Sequence, residues 1–356
     1  MSMPSLIDLI RAAPDATPPP KAASIDITGI TADSRQVKPG SLFAALKGAK
    51  ADGAAYVVQA VKAGAAAVLC EKGTPAVPGA ATVHSGNPRK SLAQMASAFY
   101  GKQPAHIVAV TGTDGKTSTA DFFRQFWHHL GAPAASIGTL GILGGAGEAL
   151  YPESQTTPDP VSLHKALAQI ASKGIQHAAM EASSHGLDQY RLDGVRVEAA
   201  AFTNVARDHL DYHGSEEAYF AAKLRLFSEV LPEGKTAVLN QDDAKFSALK
   251  TVCEHRRQKI VGFGTSGGEY RITGITPSAH GQTASLELYG RAHRLEIPLA
   301  GAFQVFNIAA ALALVEATGG ALADALAVIP KLKGVPGRLE QVALLVQLTL
   351  RPHALR

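Results

Sequence analysis

Apolar and polar positions along the chain follow two periods, near two and near 3.6 residues, and the switches between them mark out short strands and helices. Ile25–Thr31 and Ser41–Leu46 read as strands, Gly53–Ala63 as a helix, Ala66–Cys70 as a strand and Pro88–Tyr100 as a helix. Ahead of them, PDATPPP (14–20) reads as a stiff extended linker, because repeated proline favours an extended chain. Turn formers cluster again at Gly101-Lys102-Gln103-Pro104, and a second unit opens with the β-branched run His106–Val110. A glycine turn, a helical segment over Thr117–Leu130 and helix 161–173 come next. Strands His177–Glu181 and Ala199–Val205, helix Ser215–Val230 and strand Thr236–Asn240 continue the series. Such alternation predicts an α/β fold whose mostly parallel sheet carries helices on both faces. From 269 to 299 the period drops to two, predicting an antiparallel hairpin, and Phe303–Glu316 is strongly helical.

Composition narrows this picture. With 356 residues and 46% hydrophobic content the chain can bury two or three cores, and 18% charged residues exclude a disordered chain. The net charge of +4 comes from scattered Lys and Arg with no basic run, so no nucleic-acid partner is expected. Cys70 and Cys253 have no metal or redox spacing and are expected as buried free thiols in a reducing cytoplasm. The first twenty residues lack the apolar core of a signal peptide, and no apolar run is long enough to span a membrane. A soluble cytoplasmic monomer is expected.

The strongest local signal is VAVTGTDGKTS at 108–118. A strand delivers Gly112 and Gly115, whose missing Cβ lets backbone N–H groups face an anion, and a helix starting at Lys116–Thr117 adds its positive end. Lys116 can reach terminal phosphates and the Thr117 hydroxyl can ligate Mg²⁺. Val110 stands where a general phosphate-loop pattern has its first glycine. An ordinary glycine turn is the alternative, but Gly-Lys-Thr at a strand–helix junction favours a nucleotide. Glu181, at the end of a strand, can project toward the same loop at the carboxyl edge of a parallel sheet; a solvated strand-end Glu is the bland reading. Lys223 shares its helix face with Tyr219, Leu226 and Phe227, where a bare ammonium is costly. Either its stem packs and its charge reaches water, or burial lowers its pKa and frees the amine for covalent chemistry.

These segments and several others resemble the Mur ligase and folylpolyglutamate synthase superfamily. The similarity runs in order through ADSRQVKPGSLFAALKG (32–48), TGTDGKTS (111–118), TTPD (156–159), MEASSHGL (180–187), TNVARDHLDYHG (203–214), YFAAKLRLF (219–227), GAFQVFNIAAAL (301–312) and GVPGRLE (334–340). Asp114 stands where Asn is commoner. SSHGL and DHLDYHG resemble the Mur ligases that add the third residue of the peptidoglycan stem peptide.

The resemblance implies a small N-terminal α/β unit (1–103) binding a UDP-linked precursor and a phosphate-loop ATPase unit (104–333). Residues 334–356 would begin a Rossmann-like third domain that is largely absent. It implies ATP contacts at Thr111, Gly112, Thr113, Asp114, Gly115, Lys116, Thr117, Ser118, Asn307 and Arg338. Two Mg²⁺ ions would be held by Thr117, Glu181, His209 and a carbamylated Lys223 (N6-carboxylysine), with Asp208 or Asp211 supporting His209. Lys116, Lys223 and His209 would be catalytic. UDP-N-acetylmuramoyl-L-Ala-D-Glu would meet Ser34, Thr156, Thr157, Ser183, Gln189 and Arg191. The D-Glu carboxylate would attack the ATP γ-phosphate to form an acyl phosphate, which meso-diaminopimelate, or Lys, would open. Because LLVQLTLRPHALR does not continue the family pattern, a truncated or frame-shifted product with impaired ligation is expected. The alternatives are another superfamily ligase, a non-catalytic nucleotide or UDP-precursor binder, and a poorly folding fragment.

Overall fold

The computed structural model describes residues 3–48, 52–151 and 155–335. The first unit is a five-stranded sheet of Ala16–Thr17 (β1), Gly29–Thr31 (β2), Ser41–Ala44 (β3), Ala67–Glu71 (β4) and Ala81–Ser85 (β5), ordered β1-β5-β4-β3-β2. Strands β2 to β5 run parallel. The stretch expected as a linker instead supplies the edge strand: Ala16 pairs with Ser85 and Thr17 with His84, antiparallel. Extended backbone, which prolines favour, is what a sheet edge needs. Leu6–Arg11 (α1), unforeseen in the sequence, starts at Ser5, whose backbone N–H donates to Asp8 at 3.2 Å. The helix expected over Gly53–Ala63 divides into a 3₁₀ turn, Gly53–Tyr56, and Val57–Lys62 (α2). Pro88–Tyr100 (α3) forms as expected; the Asn87 side chain accepts from the Lys90 amide at 3.0 Å and Pro88 fills the first turn. Leu6, Leu9 and Ile10 of α1 and Leu92 and Met95 of α3 share the core over this sheet.

The second unit is an eleven-stranded sheet. Its strands are His106–Thr111 (β6), Ala134–Gly138 (β7), Gly141–Leu143 (β8), Ala149–Tyr151 (β9), His177–Glu181 (β10), Val197–Phe202 (β11), Thr236–Asn240 (β12), Lys259–Gly264 (β13), Tyr270–Ser278 (β14), Gly281–Leu288 (β15) and Arg291–Ile297 (β16). Seven central strands, β7-β10-β6-β11-β12-β13-β14, run parallel, and the hairpin partners β8, β9, β15 and β16 close the edges antiparallel. The hairpin expected at 269–299 is therefore a three-stranded meander, joined to the parallel sheet through β13.

Helices cover both faces, as predicted. Lys116–His129 (α4) and Phe303–Ala317 (α10) bury Phe122, Phe123, Phe126, Ile308 and Leu312 against one face. Pro160–Ser172 (α5) and Phe246–His255 (α9) bury Leu163, Leu167, Ile170 and Leu249 against the other. Short helices Ser184–Asp188 (α6) and Leu210–His213 (α7) follow β10 and β11. Glu216–Arg225 (α8) is opened by Ser215, which accepts from the Ala218 amide at 3.1 Å, and ends in a wide π-turn, Leu226–Val230. Leu322–Val328 (α11) packs on α10.

Arg225 on α8 donates to both Asp193 oxygens at 2.8 Å, and both side chains are buried. Lys90 of α3 reaches Glu229 at 3.3 Å, so charge pairing continues into the first unit. Cys70 and Cys253 are buried free thiols, and burial pushes Cys253 up to about 12. Among the described residues no helix is long and apolar enough to cross a membrane.

Candidate active site

The β6–α4 turn is fixed by its glycines and by the segment after β11. Gly115 sits at φ +83°, and a Cβ there would run into the Asn307 side-chain oxygen; at Gly112 it would run into Thr203 Oγ1. Asn204 accepts from the Thr113 and Asp114 amides, both at 2.9 Å. Thr203 Oγ1 donates to the Asp114 carbonyl at 2.5 Å, and the Ala206 amide donates to Thr113 Oγ1 at 2.9 Å. These bonds hold the loop in its shape from the β11 side. Lys116 Nζ donates to the Gly112 and Thr113 carbonyls at 2.9 and 2.7 Å, folding its cation across the turn.

Thr113 to Ser118 line a cavity of about 950 Å³. Thr111 is fully buried behind it, and neither Thr111 nor Gly112 lines it. Glu181 closes one end at the last position of β10, 2% exposed. Burial pushes its carboxyl up, opposed by a hydrogen bond from the Thr139 amide at 2.8 Å and by the Lys116 charge and Thr117 hydroxyl. A Cβ at Gly138 would strike this carboxylate. A buried carboxylate and a hydroxyl facing one cavity are hard oxygen donors that fit a magnesium ion, whose charge would offset the desolvation. Phe263, Phe303, Phe306 and Asn307 line other parts of the cavity, offering flat apolar surface suited to a base.

The other two expected metal ligands do not line this cavity. Lys223 is 1% exposed, 4.4 Å from the Tyr219 ring, and donates to the Gly112 carbonyl at 2.6 Å, so the snorkelling alternative fails. Burial first, and then the Lys116 charge, lowers its pKa to about 7. His209 is half-exposed at φ +50°, a strained conformation for a non-glycine residue, with Nε2 3.5 Å from Asp208 and its ring 6.0 Å from Tyr219. His185 stacks edge-on to it at 4.9 Å. Among the described residues no three His, Cys, Asp or Glu side chains converge as a metal nest.

A second cleft, about 380 Å³, opens between the two units and is lined by Gln189 and Arg191. Ser34 lies beside it on a 3₁₀ turn, between the lining residues Asp33 and Gln36. Thr156 instead lines the large cavity. Thr157 and Ser183 brace the wall between: Thr157 Oγ1 donates to the Glu181 carbonyl at 2.9 Å and lies 3.0 Å from Ser183 Oγ. Arg338 lies outside the described residues, as does most of the stretch 334–356.

Thr139, Asn204 and Asn240 also line the large cavity and were missed in the sequence. Asn240 and Thr139 end or follow strands at the carboxyl edge of the parallel sheet, and that position alone could have flagged them. Thr139 Oγ1 approaches both Glu181 (3.3 Å) and Thr156 (3.1 Å). Thr139→Val is expected to weaken magnesium-dependent nucleotide binding about tenfold, with Thr139→Ser close to wild type by calorimetry.

Residues 110–315 match the Mur ligase middle domain and 26–100 the Mur ligase family catalytic domain. UDP-N-acetylmuramoyl-L-alanyl-D-glutamate–2,6-diaminopimelate ligase of Rhizobium meliloti (strain 1021) is 49% identical over 90% of this chain and 66% of its own length. The enzyme of the same name from Caulobacter vibrioides is 46% identical over 91% of this chain and 67% of its own. The chain thus spans about two thirds of the length of these curated relatives. A solved structure of a ligase of that name superimposes with a TM-score of 0.81 at 31% identity, over 94% of this chain and 68% of the other. Mycobacterium tuberculosis folylpolyglutamate synthase complexed with ADP shares the fold (TM-score 0.58, 18% identity, 71% of this chain and 63% of that one). A middle-domain match over more than half of the chain coincides with the phosphate loop, Glu181, Lys223 and Asn307, and on that ground the chain belongs to the Mur ligase family.

Proposed function

We propose that this chain serves ATP-dependent amide ligation of the third stem-peptide residue to UDP-N-acetylmuramoyl-L-Ala-D-Glu, with meso-diaminopimelate as the incoming amine and Lys as the runner-up. The carrying observation is the glycine turn before α4, whose residues Thr113–Thr117 share one cavity with the buried Glu181. The names of the relatives supply the substrate class. In this reading residues 1–103 hold the precursor and 104–333 the nucleotide, in a soluble cytoplasmic monomer.

The D-Glu carboxylate attacks the γ-phosphorus of ATP, the bond to the β-phosphate oxygen breaks, and ADP leaves. The amine then attacks the acyl carbon of the acyl phosphate, inorganic phosphate departs, and the amine proton goes to solvent. Lys116 neutralises charge on the transferring phosphoryl group, and the first-turn amides of α4 orient its oxygens. Phe303, Phe306 and Asn307 hold the base and ribose end. Thr117 and Glu181 would hold one Mg²⁺, and a carbamate on Lys223 with His209 a second; the metal supplies electrostatic stabilisation of the phosphates. The amine of Lys223, with a pKa near 7, is free for carbamate formation as its proton is lost.

Calorimetry with a non-hydrolysable ATP analogue tests the reading: magnesium-dependent binding is expected, weakened about a hundredfold in Lys116→Ala. Absence of magnesium-dependent adenine-nucleotide affinity in folded protein overturns it. For Lys223, protein equilibrated with ¹³C-bicarbonate should show a carbamate resonance that grows as pH rises through about 7 and is missing from Lys223→Met. A resonance surviving in Lys223→Met removes Lys223 from this role.

A further inference from the structure

The cleft between the two units holds two cations that form no ion pair among the described residues. Arg89 is the second residue of α3, in the first unit, and Arg191 follows α6 in the second; both line the same 380 Å³ space. Arg89 Nη2 donates to the Lys47 carbonyl at 2.6 Å. Arg191 donates to the Thr157 carbonyl at 2.6 Å and to the side-chain oxygens of Gln155 and Gln189 at 2.9 and 2.8 Å. All of these acceptors are neutral, and among the described residues neither arginine has an ion-pair partner.

Two carboxylates do line the cleft, and both are committed elsewhere. Asp33 takes Arg35 in a two-point contact at 2.9 and 2.8 Å. Asp159 caps α5, accepting from the Val161 and Ser162 amides at 3.0 and 3.2 Å. Burial chiefly pushes Arg191 below the ordinary arginine value; Asp159 across the cleft opposes the shift without reversing it, and Arg89 adds to it. Like charges facing one partly buried space repel, and an anion placed between them turns that repulsion into attraction toward a common centre. Guanidinium groups also suit phosphate and carboxylate oxygens geometrically, because their donors lie in one plane.

We propose that Arg89 and Arg191 act as a clamp across the two units for an acidic group, phosphate or carboxylate, of the UDP-linked precursor, and that Arg89 is a binding residue for it. This rests on the substrate reading given above. Because the two guanidiniums sit on different units, the bound anion also fixes one unit against the other.

The test is calorimetry on wild type, Arg89→Ala, Arg89→Gln and Arg89→Lys, each already saturated with Mg-ADP so that the phosphate loop is filled. The ligands are UDP-N-acetylmuramoyl-L-Ala-D-Glu, UDP, the dipeptide L-Ala-D-Glu and inorganic pyrophosphate. Arg89→Gln keeps a donor for the Lys47 carbonyl while removing the charge, which separates the clamp from local folding. Precursor affinity is expected to fall tenfold or more in Arg89→Ala and Arg89→Gln and to be largely retained in Arg89→Lys, with Mg-ADP affinity within twofold throughout. The same loss with UDP assigns the phosphate end; the same loss with the dipeptide assigns the carboxylate end. Precursor binding within twofold of wild type in Arg89→Gln overturns the clamp and leaves the substrate reading intact. Wild type that ignores the precursor yet binds pyrophosphate in an Arg89-dependent way upholds the clamp and overturns the substrate reading. Wild type that binds none of the four overturns both.

Discussion

Glu181→Gln is expected to remove the magnesium-dependent part of nucleotide affinity, at least about a hundredfold, while making the unliganded protein more stable by about 1 kcal/mol. The two effects share one cause. Glu181 is 2% exposed, and burial raises its carboxyl above the usual carboxylate range. In the unfolded chain the same group ionises at its ordinary value, so over the interval between the two pKa values the unfolded state has lost its proton and the folded state has kept it. Stability of the unliganded wild type therefore falls as pH rises from the ordinary glutamate value through the raised one. A neutral amide of the same shape escapes that penalty and still accepts from the Thr139 amide, but it offers no charge to a divalent ion. Nucleotide titrations with and without magnesium, paired with thermal melts across pH, check both halves. A Glu181→Gln protein that keeps the magnesium response would show that the metal is held elsewhere.

The second large effect belongs to stability. Arg225→Met is expected to cost about 3–5 kcal/mol, lowering the melting temperature by roughly 10 °C, because it leaves the Asp193 carboxylate buried without its two-point partner. Asp193 and Arg225 are 7% exposed, and burial already outweighs Arg225 in setting the direction in which Asp193 shifts, upward. Arg225→Met combined with Asp193→Leu should recover most of the loss, since an apolar pair needs no charge compensation. The damage should also reach function. Arg225 is two residues from Lys223 and Asp193 two from Arg191, so the pair ties the helix carrying the reactive amine to the loop lining the interdomain cleft. Calorimetric melts settle the energies. A cost below about 1 kcal/mol in the single variant would mean that the carboxylate finds another partner, Lys90 at 3.9 Å being the nearest.

Among the strands most visible in the sequence are β6 and β10, each with parallel neighbours on both sides. β6 and β10 are unbroken apolar runs because both their faces are covered, and glycines or polar residues mark where they stop. The phosphate loop was equally plain, since its chemistry is contained in consecutive residues. Elements set by tertiary company were not. β1 is two residues long and exists only because β5 lies beside it. β13 and α9 passed unnoticed between stronger patterns. Thr139 and Asn240 gain their place in the cavity from strand order, which no local pattern encodes. Phe303 and Phe306 were read simply as part of an apolar helix. His209 illustrates the reverse case: a motif marks the residue, while its half-exposed ring stands apart from the cavity that Glu181 and Thr117 line.

The π-turn after α8 bears on how this site tolerates insertions and deletions. A turn of that kind holds one residue more than an α-helix would use over the same rise. Loss of Ser228, for instance, would let the segment close as an ordinary i→i−4 turn with the residues on either side keeping nearly their present facing. Lys223 and Arg225 would still point inward while Leu231 kept its place in the core. A one-residue gap within Glu216–Arg225 has no such spare residue to absorb it and would turn what precedes it by about 100°, so in a related gene a gap there, and not in the π-turn, would mark a copy that has abandoned the lysine.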